Sequence, residues 1–396
     1  MLLSLTACSN RILLDPEISV SRLSEGGSLK DEVNLLVKPL LKSKSNAGIM
    51  VAVLDENDRT YLYPYGFKNL ENHQPMTKDT LFGIGSVTKS MVVSLMLALD
   101  SKNLLSINDT IGEHLPKPFV VKDKRIRDIS FAQLASHMSG LPREPVTFEG
   151  FKSFVDYLFT GNNIYSHLNE SAVYEFLQEY ELPLDPNEEP TYSNIGIGLL
   201  GHFLSLKMES DLETLLQQHV LKPLDMKNTV IALQPKDKQK LATGYAGDQP
   251  LFVSRNTPQA NWKLSKVMQG TGAVYSTAQD LINYLKAHLG KSNTQLDQAL
   301  QKSRKIFGKD ESHYITMGWY VDNFSKYDTS IYYYHGMISG FNCYIGFEPE
   351  TKIAVVVLMN NFNWDDVVGH NLLLTLSRHS KLKKSKVRIV KNTFTP

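Results

Sequence analysis

Leu81-Phe82-Gly83-Ile84-Gly85-Ser86-Val87-Thr88-Lys89-Ser90-Met91 is the stretch on which the reading of the fold turns. The apolar run Val92, Val93, Leu95, Met96, Leu97, Ala98 and Leu99 follows it with few polar breaks. A helix that is apolar all round belongs inside a domain, so a buried helix is expected here. Gly83 and Gly85 allow a tight entry into it. Ser86 then stands at its N-terminus, and Lys89, three residues on, shares its face. A lysine at the head of a buried helix is expensive unless its amine has a partner or a purpose.

That pairing has a chemical logic. A serine hydroxyl is a weak nucleophile and needs a neighbouring base. A desolvated lysine releases its proton more readily than one in water. The helix N-terminus adds a positive field and a backbone N–H where an oxyanion can form. The bare spacing Ser-x-x-Lys recurs by chance in many proteins; the apolar helix is what gives it weight. A second chemistry competes, because Gly83 to Ser90 is one residue from the phosphate-loop pattern G-x-x-x-x-G-K-[ST]. Thr88 falls where that loop needs glycine, and no later acidic strand end is suited to magnesium, so nucleotide binding is set aside.

Working outward, a helix is expected over about 29–42, with Leu35, Leu36, Val37 and Leu40 on its apolar side. Gly48 to Leu54 reads as a buried strand, Asp55–Asp58 as a turn, and Thr60–Tyr63 as the returning strand of a hairpin. Residues 9 to about 28 look irregular. Past the Ser86 helix, Asp128-Ile129-Ser130 caps a short helix to Ser136-His137, ended by Gly140-Leu141-Pro142. From about 150 to 225 the period is mostly helical. Strands return after about 315, at Ile331–Tyr334, Cys343–Phe347 and Ile353–Leu358, before a last helix over roughly 365–378. This order predicts one mixed α/β domain assembled from both chain ends, with a helical region hung between them.

The chain of 396 residues has ample core for this, and its formal net charge of +1 argues against a nucleic-acid binder. No stretch is long and apolar enough for a membrane-spanning helix, and no internal repeat stands out. Cys8 and Cys343 are the only cysteines. They make no disulfide framework, and no histidine spacing indicates a metal. Leu5-Thr6-Ala7-Cys8 matches the bacterial lipoprotein processing box, in which the cysteine is lipidated. The seven residues before Cys8 are short for a signal and lack basic residues. The reading is a lipoprotein with a truncated signal, the alternative a ragged apolar N-terminus with a plain thiol. The basic tail from Lys381 to Arg388 reads as a solvated end, with contact to an anionic membrane as its alternative.

Two further pieces carry polar groups at loop-to-element junctions. Tyr192-Ser193-Asn194 opens an apolar helix, where a tyrosine can share a proton with an amine or hydroxyl and Asn194 can hold an amide. By itself it also reads as an ordinary N-cap. Tyr334-His335-Gly336-Met337-Ile338-Ser339-Gly340-Phe341 reads as the close of a strand and a turn into the next. Its glycines let backbone approach a ligand, though by itself it is an ordinary hairpin.

Together these pieces resemble the serine β-lactamase and penicillin-binding-protein-like hydrolases, closest to the branch with class C β-lactamases, D-aminopeptidases and β-lactamase-fold esterases. Ser86-Val87-Thr88-Lys89 is similar to the first motif of that family and Tyr192-Ser193-Asn194 to its second, Y-x-N. Ala135 to Pro142 is similar to its T-H-T-S-G-L stretch, and Gly270 to Leu281 to its G-x-G-G-x-x-S-T-x-x-D-L stretch. The resemblance spans roughly 30–378. The third motif departs from K-T-G or H-x-G. Anchoring on Gly340-Phe341 puts Tyr334 at the Lys or His position, His335 in the middle and Gly336 at the glycine. Anchoring on His335 would put Met337 at the glycine. The first register is preferred because it keeps the glycine.

The resemblance implies an α/β (α+β) fold with an antiparallel sheet flanked by helices. The α/β part would come from about 29–105 and 265–378 and the helical insertion from about 106–264, with 1–28 and 379–396 outside the catalytic domain. It implies acyl transfer without a cofactor. Ser86 would attack, Lys89 and Tyr192 would share the proton work, and the N–H groups of Ser86 and Met337 would form the oxyanion hole. Asn194, Tyr334, His335 and Gly336 would line the substrate site, and the insertion, especially about 143–190, would shape its mouth. A neutral Tyr334 weakens the case for a penicillin or D-Ala-D-Ala substrate and leaves simple esters, or peptides gripped differently. A peptidoglycan D,D-carboxypeptidase or β-lactamase is the alternative enzyme, and a catalytically idle binding protein the alternative outside catalysis. The expected partner is a small-molecule or peptide substrate, with the protein on the periplasmic side of the cell envelope, held there if Cys8 is lipidated.

Overall fold

The computed structural model describes residues 15–43, 46–363 and 367–393. Its first element is a helix, α1 (Pro16–Ser24), where irregular chain is expected. Asp15 caps it by accepting the Glu17 N–H at 3.0 Å, and Pro16 presets the first helical φ. Only Pro16, Ser19 and Val20 are buried, too thin a stripe to show as a period. Distant partners hold the helix in place: Arg22 pairs with Glu32 at 2.8 Å, and Arg378 with Glu17 at 3.1 Å.

Helix α2 (Leu29–Ser43) buries Val33, Leu36, Val37 and Leu40, an i, i+3, i+4, i+7 stripe. Leu35, expected on that side, falls off the stripe and is exposed. Strands β1 (Gly48–Leu54) and β2 (Thr60–Asn69) form an antiparallel hairpin with Val51 opposite Tyr63. Helix α3 (Val87–Asp100) follows, buried on every side from Val87 to Leu99.

The helical middle contains α4 (Phe131–Ala135), α5 (Phe148–Thr160), α6 (Glu170–Glu179), α7 (Asn194–Lys207) and α8 (Ala278–His288). Ser130 and Gln133 cap α4 reciprocally. Strands return from 306, earlier than expected, as β3 (Ile306–Lys309) and β4 (Tyr314–Thr316), followed by β5 (Tyr320–Phe324). These three are short and partly exposed, so their apolar signal is weak. The longer β6 (Thr329–Ile338), β7 (Phe341–Glu348) and β8 (Ile353–Met359) complete the sheet. The last helix, α9 (Val367–Thr393), runs past the expected end near 378 into the basic stretch. No glycine or proline stops it between His370 and Thr393, and Lys381 pairs with Glu350 at 2.7 Å.

The strands form one antiparallel sheet, ordered from a short Gln74–Pro75 edge through β2, β1, β8, β7, β6, β5 and β4 to β3. Pairing of β1 with β8, with Val51 opposite Val357, joins the two chain ends. Both faces of the central strands are covered, so β1 and β8 are buried at every position and read as unbroken apolar runs. Ile49, Val51, Val53, Val355 and Val357 face α2 and α9. Met50, Ala52, Leu54, Ala354, Val356 and Leu358 face the other core, which is built on α3, α7 and α8. Among the described residues no helix is long and apolar enough to cross a membrane.

Candidate active site

Ser86 is the N-cap of α3, yet its side chain makes no capping hydrogen bond. The hydroxyl that would ordinarily fold back onto the helix is turned to other partners. The turn before it depends on glycine: Gly85 has φ +50°, and a Cβ there would lie 2.6 Å from the Met337 nitrogen. The stretch around Gly270 to Leu281 braces this turn. Phe82-Gly83 pairs with Tyr275-Ser276, and the Ile84 N–H donates to the Val274 carbonyl at 3.0 Å.

Lys89 is 1% exposed, and its amine donates to Ser86 Oγ at 2.9 Å and to the Thr271 carbonyl at 2.7 Å. Burial pushes its pKa below the usual lysine range, partly opposed by Tyr192. The Tyr192 hydroxyl donates to Ser86 Oγ at 2.9 Å. Burial alone would raise that phenol. The positive charges of Lys89 and Arg143, with hydrogen bonds to Ser86 and Lys89, outweigh it and bring the net direction down. The Arg143 guanidinium lies 4.9 Å from the Tyr192 ring centroid. Two groups whose protons are easily exchanged, the Lys89 amine and the Tyr192 hydroxyl, therefore converge on one serine oxygen.

Tyr192 and Asn194 are held by the start of α7. Ser193 caps that helix, accepting the Gly196 N–H at 2.8 Å, and the Arg143 carbonyl accepts the Asn194 N–H at 3.0 Å. Asn194 is buried, and its side-chain amide nitrogen donates to Glu144 Oε1 at 2.7 Å and to the Tyr165 hydroxyl at 3.1 Å. Both amide hydrogens are thus engaged within the protein.

The third motif lies differently from the expectation. Strand β6 continues through Tyr334–Ile338, and the turn is confined to Ser339-Gly340, with φ +44° and +81°. Side chains on a strand alternate between faces, which separates two residues expected to line the site together. Tyr334 faces the α3 core and is 2% exposed. His335 faces the opposite side, with its ring against Tyr333, Tyr344 and His370, so it is not part of the site. Gly336 packs on the serine turn so closely that a Cβ would fall 1.9 Å from the Ile84 oxygen and 3.0 Å from the Ser86 nitrogen. The Met337 nitrogen and oxygen both face Gly85. Its peptide edge is therefore turned to the Ser86 turn.

His137 joins the site although only its neighbourhood, not its role, is legible in the sequence. It is 3% exposed, in the left-handed region at φ +60°. Its Nδ1 accepts the Ser193 N–H at 3.2 Å, its Nε2 lies 3.2 Å from the Tyr334 hydroxyl, and its ring lies 4.7 Å from that of Tyr192. Burial, with Lys89 and Arg143 nearby, lowers its pKa to about 3, so it is neutral. Arg143, Glu144 and Tyr165 also belong to the site; they sit in irregular chain with no period to mark them. Thr271 contributes only its carbonyl, which no side-chain pattern reports. Cys343 is fully buried, and burial pushes its thiol up, away from reactivity. Cys8 lies outside the described residues.

Residues 33–377 match the family model described as Beta-lactamase. The chain is 24% identical over 365 residues to a β-lactamase of Pseudomonas fluorescens, covering 84% of this chain and 93% of that one. It is also 24% identical over 294 residues to a β-lactamase of Psychrobacter immobilis, covering 74% and 66%. Among solved structures, a class C β-lactamase of Rhodobacter sphaeroides superposes with a TM-score of 0.74 at 20% identity, over 88% of this chain and 99% of the other. A D-alanine carboxypeptidase of Burkholderia cenocepacia gives 0.72 at 21% identity, over 88% and 98%.

Proposed function

The chain belongs to the β-lactamase family of serine hydrolases, which work through a covalent acyl-enzyme, and on that premise we propose that its acyl donor is a simple ester. Ser86 is the nucleophile. Lys89 and Tyr192 share its proton: one accepts it as the hydroxyl attacks, and it is passed to the leaving alcohol as the tetrahedral intermediate collapses. The N–H groups of Ser86 and Met337 hold the oxyanion, at about 3–4 kcal/mol per donor. Water then attacks the acyl-Ser86 carbonyl by the same route in reverse. The observation that carries the assignment is the convergence of Lys89 Nζ and the Tyr192 hydroxyl on Ser86 Oγ, each at 2.9 Å.

The preference for an ester rests on what the site does not offer. A β-lactam or D-alanyl peptide brings a carboxylate and a side-chain amide. Tyr334 supplies a neutral phenol at the position where the family commonly carries a cation, and Asn194 spends its amide hydrogens on Glu144 and Tyr165. The Burkholderia relative described as a D-alanine carboxypeptidase favours a second reading, a peptidoglycan peptidase. We assign the catalytic unit to 29–378, with 106–264 as the helical insertion that carries Tyr192 and Asn194. The Leu5–Cys8 box supports a lipid-anchored protein on the periplasmic side of the envelope.

The test is intact-protein mass after separate incubation with a fluorophosphonate, a penicillin and p-nitrophenyl acetate. The expected result is a fluorophosphonate adduct on Ser86, ester turnover, and no penicillin adduct. None of this should survive in Ser86→Ala, whose thermal melt should be nearly unchanged. Penicillin labelling would move the assignment to the peptidoglycan reading. Undiminished ester turnover by Ser86→Ala would refute the nucleophile.

A further inference from the structure

His137 ties the second and third motifs together, and none of the acyl-transfer steps uses it. Its Nδ1 is committed as an acceptor to the Ser193 N–H at 3.2 Å, next to Tyr192 in the chain. The ring proton of the neutral imidazole must then sit on Nε2, which points at the Tyr334 hydroxyl at 3.2 Å. Tyr334, accepting that hydrogen, has its own O–H left to give. Tyr192 is the neighbouring phenol with which it interacts, and both phenols lie against the same imidazole. The imidazole ring also packs at 4.7 Å against the Tyr192 ring, so one side chain touches both phenols.

We propose that His137 is a positioning residue that presents the Tyr334 O–H to the Tyr192 oxygen, and that this neutral imidazole–phenol pair replaces the cation the family carries in its third motif. The inference rests on the proposed role of Tyr192. A cation at position 334 would stabilise a Tyr192 phenolate by charge; a phenol can do so only by hydrogen bonding, and only if held in one orientation. His137 holds it. Accepting from His137 also polarises Tyr334 and makes its O–H a stronger donor, because hydrogen bonds in a chain reinforce one another. His137 and Tyr334 keep their own protons throughout, so the proton traffic stays among Ser86, Lys89, Tyr192 and the substrate. Burial raises Tyr334 well above the ordinary phenol range, which keeps it a donor at every working pH. The other groups facing Tyr192 and Tyr334 are Lys89 from α3, Arg143 and Glu144 from the loop after α4, Tyr165 from the segment before α6, and Tyr320 from β5. All of them are present equally in the variants compared below.

The test uses the full chain carrying tyrosine labelled with 13C at Cζ. The Tyr192 signal is identified by its loss in Tyr192→Phe, and its chemical shift is followed from pH 5 to 11. Tyr334→Phe is nearly isosteric, and it should raise the Tyr192 midpoint by about one pH unit, the equivalent of one net hydrogen bond. His137→Asn suits the left-handed backbone and should raise it part of the way. The double variant should move it no further than Tyr334→Phe does. The acid limb of ester kcat/KM should follow the same order. A Tyr192 midpoint unmoved by Tyr334→Phe overturns the inference, as does additivity in the double variant. If His137→Asn fails to fold, the 15N imidazole spectrum of the unmodified protein decides. The inference requires a neutral Nε2–H tautomer that does not titrate between pH 5 and 9. Absence of ester turnover would strike the proposed function, while the NMR midpoints would still decide this inference.

Discussion

Two buried histidines should make this protein unusually sensitive to mild acid. His288 lies at the end of α8 with no exposed surface, its ring 4.8 Å from both Tyr284 and Trp319. Burial, with Arg304 nearby, lowers its pKa to about 3, as burial does for His137. In the unfolded chain both would titrate near 6.5. The sign follows from the depressed folded value: above pH 6.5 both states are neutral and nothing is lost. As pH falls from about 6.5 towards 3, the unfolded chain binds protons that the folded chain refuses, and stability drops. Each histidine removes ~1.4 kcal/mol per pH unit in that window, so ~2 kcal/mol by pH 5, and the pair ~4 kcal/mol. That is a large part of the ~5–15 kcal/mol that holds a typical domain folded. The assay is urea unfolding at pH 7, 6, 5 and 4.5, comparing the native chain with His288→Gln. Other groups also titrate here, so the difference between the two slopes carries the test. The variant's offset at pH 7 reports packing, whereas its slope reports proton count. The variant should lose stability less steeply by ~1.4 kcal/mol per pH unit. Parallel slopes would refute the claim that His288 is refused its proton in the folded state.

Three further outcomes follow from single contacts. Gly336→Ala places a methyl group 1.9 Å from the Ile84 oxygen, so β6 must move off the serine turn. The fluorophosphonate acylation rate should fall by about 10²–10³, as for loss of one oxyanion donor, with a lower melting temperature. Leu95→Ala empties a fully buried position in α3 and should cost ~2–5 kcal/mol in urea unfolding, with labelling at Ser86 retained at low denaturant. Glu144→Ala releases the Asn194 amide that it binds at 2.7 Å. A penicillin adduct on Ser86, absent from the unmodified protein, should become detectable as the freed amide gains about tenfold, the value of one hydrogen bond, and its continued absence would separate Asn194 from substrate choice.

What the sequence determined by itself was whatever has a short period or a local signal. The unbroken apolar run after Ser86 demanded burial, and α3 is buried along its length. Ser86 and Lys89 come together because three residues make about one helical turn. The strands at 48–54 and 353–359 were legible because both of their faces are covered. Helix α1 was not, because Glu32 and Arg378, far along the chain, hold it rather than an apolar stripe of its own. Which residues join Ser86 from elsewhere was decided only by the tertiary structure. Tyr192 lies 106 positions away, and its hydroxyl reaches the serine because the Arg143 carbonyl anchors the start of α7. His335 left the site, and Tyr334 stayed, because alternation along β6 sends neighbours to opposite faces of a sheet that is covered on both. The engagement of Asn194 by Glu144 and Tyr165, and the seat of His137 between two motifs, depend on loops whose course no periodicity encodes. Local spacing reports which side chains a helix or strand presents on one face. Only packing of distant segments determines which of those faces meet, and with that the partners each polar group finds.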